Sequence, residues 1–124
     1  MPSHTKTVMR ILSYLIIAGG TMAANHDNAT IHITSGQKIY HDHCIVCHGT
    51  KGDGKTFAAN ALLPPPKNFT AKTSKTELTL GRMIRSVTEG RANTAMMPWK
   101  DVLNKHEILS VVNYIRKDLM QLKQ

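Results

Sequence analysis

Cys44-Ile45-Val46-Cys47-His48 is the most informative stretch of this 124-residue chain, because it holds both of the chain's cysteines and a histidine directly after the second one. Two residues three positions apart lie about one turn apart on a helix, so their side chains point to the same side. The imidazole follows immediately. The motif therefore predicts two thiols and one imidazole gathered at a single point of the fold.

Two thiols at this spacing can reach the two vinyl groups at one edge of a haem, and thioether bonds then fix the ring. The imidazole of His48 is thereby brought under the iron, where it can bind as an axial ligand without a separate encounter. We therefore predict one covalently attached haem c per chain, bonded through Cys44 and Cys47, with His48 as the proximal iron ligand.

Other uses of the same cysteine pair are a structural disulfide between Cys44 and Cys47 and a thioredoxin-like dithiol. The dithiol requires a βαβ setting, whereas this pair follows a predicted helix and precedes a glycine-rich loop. A zinc site lacks the second Cys/His pair that it needs. The motif favours haem attachment over all three.

The first 24 residues have the pattern of a secretory signal peptide. Lys6 and Arg10 precede the apolar stretch 11–20, and the small residues Ala23 and Ala24 follow it. The apolar stretch is shorter than the ~20 residues of a usual membrane-spanning helix, although an uncleaved anchor is the alternative. We expect export to the periplasm, a flexible mature N-terminus at 25–33 and a domain at 34–121.

The charge of the chain is strongly positive, with sixteen Lys and Arg against eight Asp and Glu and a formal net charge of +8. No run of closely spaced basic residues with interleaved aromatics is present, so nucleic acid is not an expected partner. We expect a monomer that binds redox proteins whose docking surfaces are acidic. Peripheral membrane association is a further expectation. The basic residues near the haem motifs are Lys51, Lys55, Lys67, Lys72, Arg91 and Lys100.

The second iron ligand is predicted in the loop Thr94-Ala95-Met96-Met97-Pro98-Trp99, between two helical stretches. Met97 is favoured over Met96, because the residue before a proline is restricted to extended conformations and is thereby pre-organised. The other methionines are interpreted as initiator, signal or packing residues. The remaining histidines lie in the N-terminal segments, too close to the motif, or at the start of the last helix.

Three segments carry the capping-box pattern that starts helices, namely Thr34–Gln37, Ser74–Glu77 and Asn104–Glu107. Apolar residues recur at helical spacing after the second and third of them, and Gly90 is expected to end the middle helix. The pattern predicts an all-α fold. We expect three to five helices wrapped around one covalently attached haem.

Two non-helical segments follow the motif. The stretch 49–54 holds three glycines, which permit tight backbone turns around the haem edge. The stretch Leu62–Phe69 is apolar and rich in proline, so it cannot be helical. We expect it to line the His48 side of the pocket.

Residues 35–119 resemble the class I c-type cytochromes, the mono-haem cytochrome c fold of bacteria and mitochondria. In that family a glycine and an aromatic residue on the first helix pack against an aromatic residue on the last helix. Gly36, Tyr40 and Tyr114 are similar to these three residues. The glycine lets the two helices cross closely.

The resemblance further implies His48 as the proximal ligand, Met97 as the distal ligand and a proline of the 64–66 stretch, which we take as Pro65, whose carbonyl accepts a hydrogen bond from the His48 imidazole. Trp99 resembles residues that border a haem propionate, with an aromatic core plug as the alternative.

The function that these features imply is a one-electron carrier in a periplasmic or extracytoplasmic respiratory chain, with His/Met axial ligation, and not an enzyme. One alternative is a cytochrome subunit of a larger oxidoreductase complex. Another is a ligand-binding or catalytic haem protein with an open sixth position on the iron.

Overall fold

The structure, a computed structural model, describes residues 26–123, with side chains from residue 35 onward, and the predicted signal peptide lies outside this range. Five α-helices make up the fold, and the described residues contain no strand, which confirms the all-α prediction. No helix between residues 26 and 123 has both the length and the apolar character needed to cross a bilayer. The helices are α1 (His26–His43), α2 (Ile45–His48), α3 (Lys72–Glu77), α4 (Leu80–Glu89) and α5 (Lys105–Tyr114).

The first and last helices cross at Gly36, and this crossing is the main packing contact of the fold. A Cβ atom at position 36 would overlap the backbone oxygen of Ser110 on α5, so only glycine allows the two backbones to approach this closely. One turn further along, the rings of Tyr40 and Tyr114 meet with their centroids 5.6 Å apart. The predicted glycine and aromatic contacts between α1 and α5 are confirmed.

Helix α5 begins at the predicted capping box. The Asn104 side chain accepts hydrogen bonds from the backbone N–H groups of His106 and Glu107, and the Glu107 carboxylate accepts one from the Asn104 N–H in return. The apolar face predicted from the spacing is buried through Ile108, Val111, Val112 and Ile115. The chain then widens into a single π-helical turn at Ile115–Leu119, after which Met120 is fully buried.

The predicted start of the first helix at Thr34 is wrong, because α1 begins at His26. The residues between these positions include neither proline nor glycine, so nothing in that stretch stops the helix from extending toward the N-terminus. The backbone of 26–33 is therefore helical. The predicted flexibility of the segment 25–33 stays a prediction.

The predicted capping box at Ser74 is also wrong. Helix α3 begins at Lys72 with Ala71 at its N-cap, so Ser74 lies inside the helix, where its buried hydroxyl donates to the carbonyl of Asn68. Helix α3 ends at Glu77, and a second helix, α4, starts after Thr79, whose side chain accepts from the N–H of Arg82. Gly90 ends α4 with a φ of 67°, as predicted.

Candidate haem-attachment site

The motif Cys44–His48 forms a short helical turn at the end of α1. The N–H groups of Cys47 and His48 both donate to the carbonyl of Cys44, at 3.3 and 2.9 Å. Cys44, Cys47 and His48 are all half-buried, and the two cysteines are free, without a disulfide between them. The predicted gathering of two thiols and an imidazole on one turn is therefore present in the fold.

The Cys44 thiol lies in surroundings that favour its neutral form. Burial, reinforced by the neighbouring Cys47, raises the pKa of the Cys44 thiol to about 12. Thiol–disulfide exchange requires a thiolate, whose formation is helped by a lowered thiol pKa, so this environment is opposite to that of a reactive dithiol. Together with the absence of strands from residues 26–123, it removes the support for a thioredoxin-like interpretation.

The His48 imidazole makes one hydrogen bond, through Nδ1. Burial lowers the pKa of His48 against a smaller opposing effect of its bond to the Lys67 backbone. The Nδ1 atom lies 3.2 Å from the Lys67 carbonyl oxygen. Because a carbonyl only accepts, this bond requires the proton on Nδ1 and leaves the lone pair on Nε2 free for a metal. A backbone carbonyl that accepts from the other ring nitrogen is a usual partner of a metal-binding histidine.

The acceptor of this hydrogen bond corrects the prediction for Pro65. The carbonyl that reaches Nδ1 belongs to Lys67, one residue beyond the proline run, and not to Pro65. Pro65 itself is exposed and lines a cavity of about 450 Å³ beside Thr56, whose hydroxyl is 3.5 Å from the Cys47 carbonyl. The proline run therefore places the following residues against His48.

Phe69 was not among the predicted site residues, yet its ring stacks on the imidazole of His48. The ring centroids are 4.7 Å apart and the planes differ by 15°. Phe69 is 7% exposed and belongs to the core, so this contact joins the half-buried His48 to the core. The signal in the sequence was its position at the end of the apolar, proline-rich stretch that was expected to line the His48 side.

The loop that carries Met96 and Met97 folds back against the end of α4. The N–H of Arg91 donates to the Met96 carbonyl at 2.8 Å, and the N–H of Trp99 donates to the Val87 carbonyl at 3.0 Å. Gly90 lies underneath this loop. A Cβ atom at position 90 would lie 2.6 Å from the Met96 oxygen and 2.8 Å from the Met97 carbonyl carbon.

The two methionines differ in exposure. Met97 is 55% exposed, whereas Met96 is half-buried and its backbone is held at both ends by hydrogen bonds. The Met97 side chain is therefore the less constrained by contacts within the protein. Its position before Pro98 remains the argument from the sequence for its role as ligand.

Trp99 links the methionine loop to the attachment motif. Its ring lies 5.2 Å from the ring of His43, the residue directly before Cys44. Trp99 is half-buried and packs on the edge of the core. The contact brings the segment after Met97 next to the segment before Cys44, so both predicted halves of the site lie on neighbouring parts of the fold.

The donor set fits a haem of the c type. Two unpaired thiols on one turn match the two thioether bonds, and an imidazole with a free Nε2 directly follows them. The described residues contain no group of three or more His, Cys, Asp or Glu side chains that could hold a metal ion by themselves. This chemistry agrees with an iron held in a porphyrin and gives no support to a zinc site.

Comparisons with known proteins agree with this chemistry. The family model for Cytochrome c matches residues 33–118. KustC0563, a solved c-type cytochrome, superposes with a TM-score of 0.54 at 28% identity, over 65% of this chain and 93% of that one. No curated protein matches.

A second solved structure is the Kuenenia stuttgartiensis reducing HAO-like protein complex Kustc0457/Kustc0458. It aligns with a TM-score of 0.59 at 25% identity, over 73% of this chain. The match spans only 44% of that longer chain.

The fold and the attachment site together define a c-type cytochrome. The chain belongs to the Cytochrome c family, as the match over residues 33–118 shows. Membership in this family implies covalently bound haem c and transfer of electrons through it.

Proposed function

We propose that this protein is a mono-haem electron carrier, with one haem attached through Cys44 and Cys47 and with His48 and Met97 as axial ligands of the iron. The observation that carries the proposal is the His48 imidazole, held by the Lys67 carbonyl with Nε2 left free, on the same turn as two unpaired thiols. When bound, the haem supplies a one-electron ferric/ferrous couple.

The protein's own residues tune that couple. A neutral thioether from Met97 and an apolar pocket favour the less charged ferrous state, so we expect a moderately positive reduction potential. Two retained axial ligands leave no position for a substrate, which is what a carrier requires. A strongly negative potential would contradict methionine ligation.

Attachment and ligation can be tested on one set of preparations. The chain is expressed with haem-maturation machinery, stained for haem on a denaturing gel, and compared by ferric absorption spectra with Met97→Leu and Met96→Leu. We expect covalent haem in all three proteins and loss of the methionine-to-iron charge-transfer band only in Met97→Leu. Loss only in Met96→Leu moves the ligand to Met96, and absence of covalent haem refutes the whole assignment.

A catalytic or ligand-binding haem protein, which is the alternative, differs from a carrier because the sixth position on its iron is open. A carrier with Met97 bound does not take up carbon monoxide in its ferrous state at neutral pH, whereas an open site does. We expect binding only in Met97→Leu. Binding by the unaltered protein would favour the catalytic alternative.

A role as a subunit of a larger complex is a second candidate, favoured by the similarity to a chain of the reducing HAO-like protein complex. Electron transfer through the same site is unchanged in that case. The mass of the native protein, measured by light scattering in extracts and after purification, separates the two. A monomer in both supports the free carrier, and a stable larger assembly supports the subunit.

Export to the periplasm is proposed from the pattern of the first 24 residues. Cell fractionation of the full chain, with mass spectrometry of its N-terminus, tests this. We expect the periplasmic fraction and a chain that begins near residue 25. An intact N-terminus in the membrane fraction would identify an anchor.

An acidic redox partner is proposed from the basic residues around the site. Two of these are paired within the protein, Lys67 with Glu77 at 2.7 Å and Lys100 with Glu89 at 2.8 Å. The other four, Lys51, Lys55, Lys72 and Arg91, are exposed and carry no ion pair among the described residues, so they are the charges available for docking. The rate of electron exchange with an acidic partner should fall steeply as salt is added, and a flat response would argue against this docking.

A further inference from the structure

We propose that Phe69 is a positioning residue for His48, and that the segment Lys67–Phe69 acts as a clamp that fixes the plane of the imidazole. The inference rests on the proposed role of His48 as an iron ligand. It concerns a residue outside the attachment motif and a different property from ligation itself, namely the angle at which the ligand ring is presented.

The clamp holds the imidazole at two points. The Lys67 carbonyl bonds the ring edge at Nδ1, at 3.2 Å, and the Phe69 ring covers one face, at 4.7 Å between centroids. A hydrogen bond to Nδ1 alone leaves the ring free to rock about the bond axis. A stacked ring only 15° from parallel restricts that rocking, because rotation of the imidazole would drive its atoms into the Phe69 face.

Phe69 can act in this way because contacts with Gly52 hold its backbone and its ring in place. Its backbone N–H donates to the Gly52 carbonyl at 2.7 Å. A Cβ atom at Gly52 would lie 3.2 Å from Cδ2 of Phe69 and 3.0 Å from Cδ1 of Leu119. The Phe69 ring and Leu119, from the π-helical turn, therefore both lie against the Cα of Gly52, on the side where any other residue would carry its Cβ.

The rest of the clamp is tied to α3. The Asn68 carbonyl accepts a hydrogen bond from the buried Ser74 hydroxyl, and the Lys67 ammonium pairs with the Glu77 carboxylate at 2.7 Å. Each of the three clamp residues thus has a contact with another part of the fold. Such support of a ligand by surrounding groups is what holds a metal-binding histidine in a single orientation.

The orientations of both axial ligands, the imidazole among them, set the magnetic axes of ferric iron, so the test uses proton NMR of the oxidised, haem-loaded protein. In Phe69→Leu we expect the order or spacing of the shifted haem-methyl resonances to change. Phe69→Tyr keeps a stacked ring and should keep the wild-type pattern. Phe69→Met provides the same comparison as Phe69→Leu if the leucine variant fails to fold.

Ile108→Val is the packing control, because this buried residue of α5 is altered without removing a ring from His48. We expect its methyl pattern to match that of the wild type. An unchanged pattern in Phe69→Leu, or an equal change in Ile108→Val, would overturn the positioning role while leaving the proposed function intact. A wild-type protein without covalent haem or without histidine ligation would instead overturn the proposed function, and the positioning role with it.

Discussion

Gly36 on α1 lies directly against the backbone carbonyl of Ser110 on α5, with no room for a Cβ atom between them. Gly36→Ala should therefore push the two helices apart and lower the free energy of unfolding by about 1–3 kcal/mol, the usual cost of overpacking a well-packed contact. Denaturant unfolding of the haem-loaded protein measures this loss.

The matched control for that prediction is Gly81→Ala. Gly81 lies on the exposed side of α4, and a Cβ atom there meets nothing within 4 Å. Alanine is the better helix former by about 1 kcal/mol, so this variant should be at least as stable as the wild type. Equal effects of the two substitutions would contradict the close crossing at Gly36.

Gly90→Ala should disturb the methionine loop. Its φ of 67° is unfavourable for alanine, and the new Cβ atom would press on the carbonyl groups of Met96 and Met97. We expect a loss of about 1–3 kcal/mol in unfolding free energy and a weaker methionine-to-iron charge-transfer band. Asn93→Gly is the control in the same loop, because Asn93 also has a positive φ that glycine accepts, and its band should persist.

Tyr40 should make the fold sensitive to alkaline pH. Its hydroxyl donates to the Gly49 carbonyl at 2.7 Å, and burial raises the pKa of Tyr40 well above its usual value. The folded state therefore resists ionisation of Tyr40, so stability is fully present below the unfolded pKa of about 10 and is lost as pH rises above it.

Tyr40→Phe removes both the ionisable group and the hydrogen bond to Gly49. We expect it to be less stable at neutral pH by about 1 kcal/mol and to lose less stability than the wild type between neutral and strongly alkaline pH. Unfolding curves collected across that range test this. Parallel declines in the two proteins would show that Tyr40 does not set the alkaline limit.

Asn104→Ala should remove the N-cap of α5. The side chain accepts from two backbone N–H groups, at 2.9 and 3.0 Å, and loss of such a cap usually costs about 1 kcal/mol. Asn104→Asp keeps an acceptor at the helix N-terminus and should keep the stability. Thermal unfolding of the three proteins makes the comparison, and equal losses in Ala and Asp would argue against the cap.

The parts of the fold that the sequence predicts correctly are those decided by local chemistry. The capping box at Asn104 starts α5 because both of its hydrogen bonds form within one turn. Gly90 ends α4 because its φ is positive. The pairing of Gly36 with α5 is a long-range contact, and it was predicted only through the resemblance to the cytochrome family.

Two of the errors come from contacts that residue-type patterns do not show. The pattern at Ser74 matches a capping box, yet α3 already begins at Lys72, and the Ser74 hydroxyl donates to the Asn68 carbonyl in the preceding loop. Likewise, the carbonyl that reaches His48 depends on how the chain leaves the proline run. A shift of two residues, from Pro65 to Lys67, is invisible to residue-type patterns.

The crossing of α1 and α5 also has a consequence for the order of events during synthesis. Gly36 and Ser110 lie near opposite ends of the domain, so a growing chain acquires its closing contact only when α5 is complete. Cys44 packs against the edge of a core that includes Ile108, Val111 and Val112 of α5, so this part of its surroundings forms only when α5 is present. We expect its thiol to react faster with an alkylating reagent in nascent chains stalled before residue 105 than in the finished apoprotein, with equal rates contradicting this. Under the proposed attachment of haem through Cys44, we therefore expect its thiol to be most open to a maturation enzyme before α5 has packed.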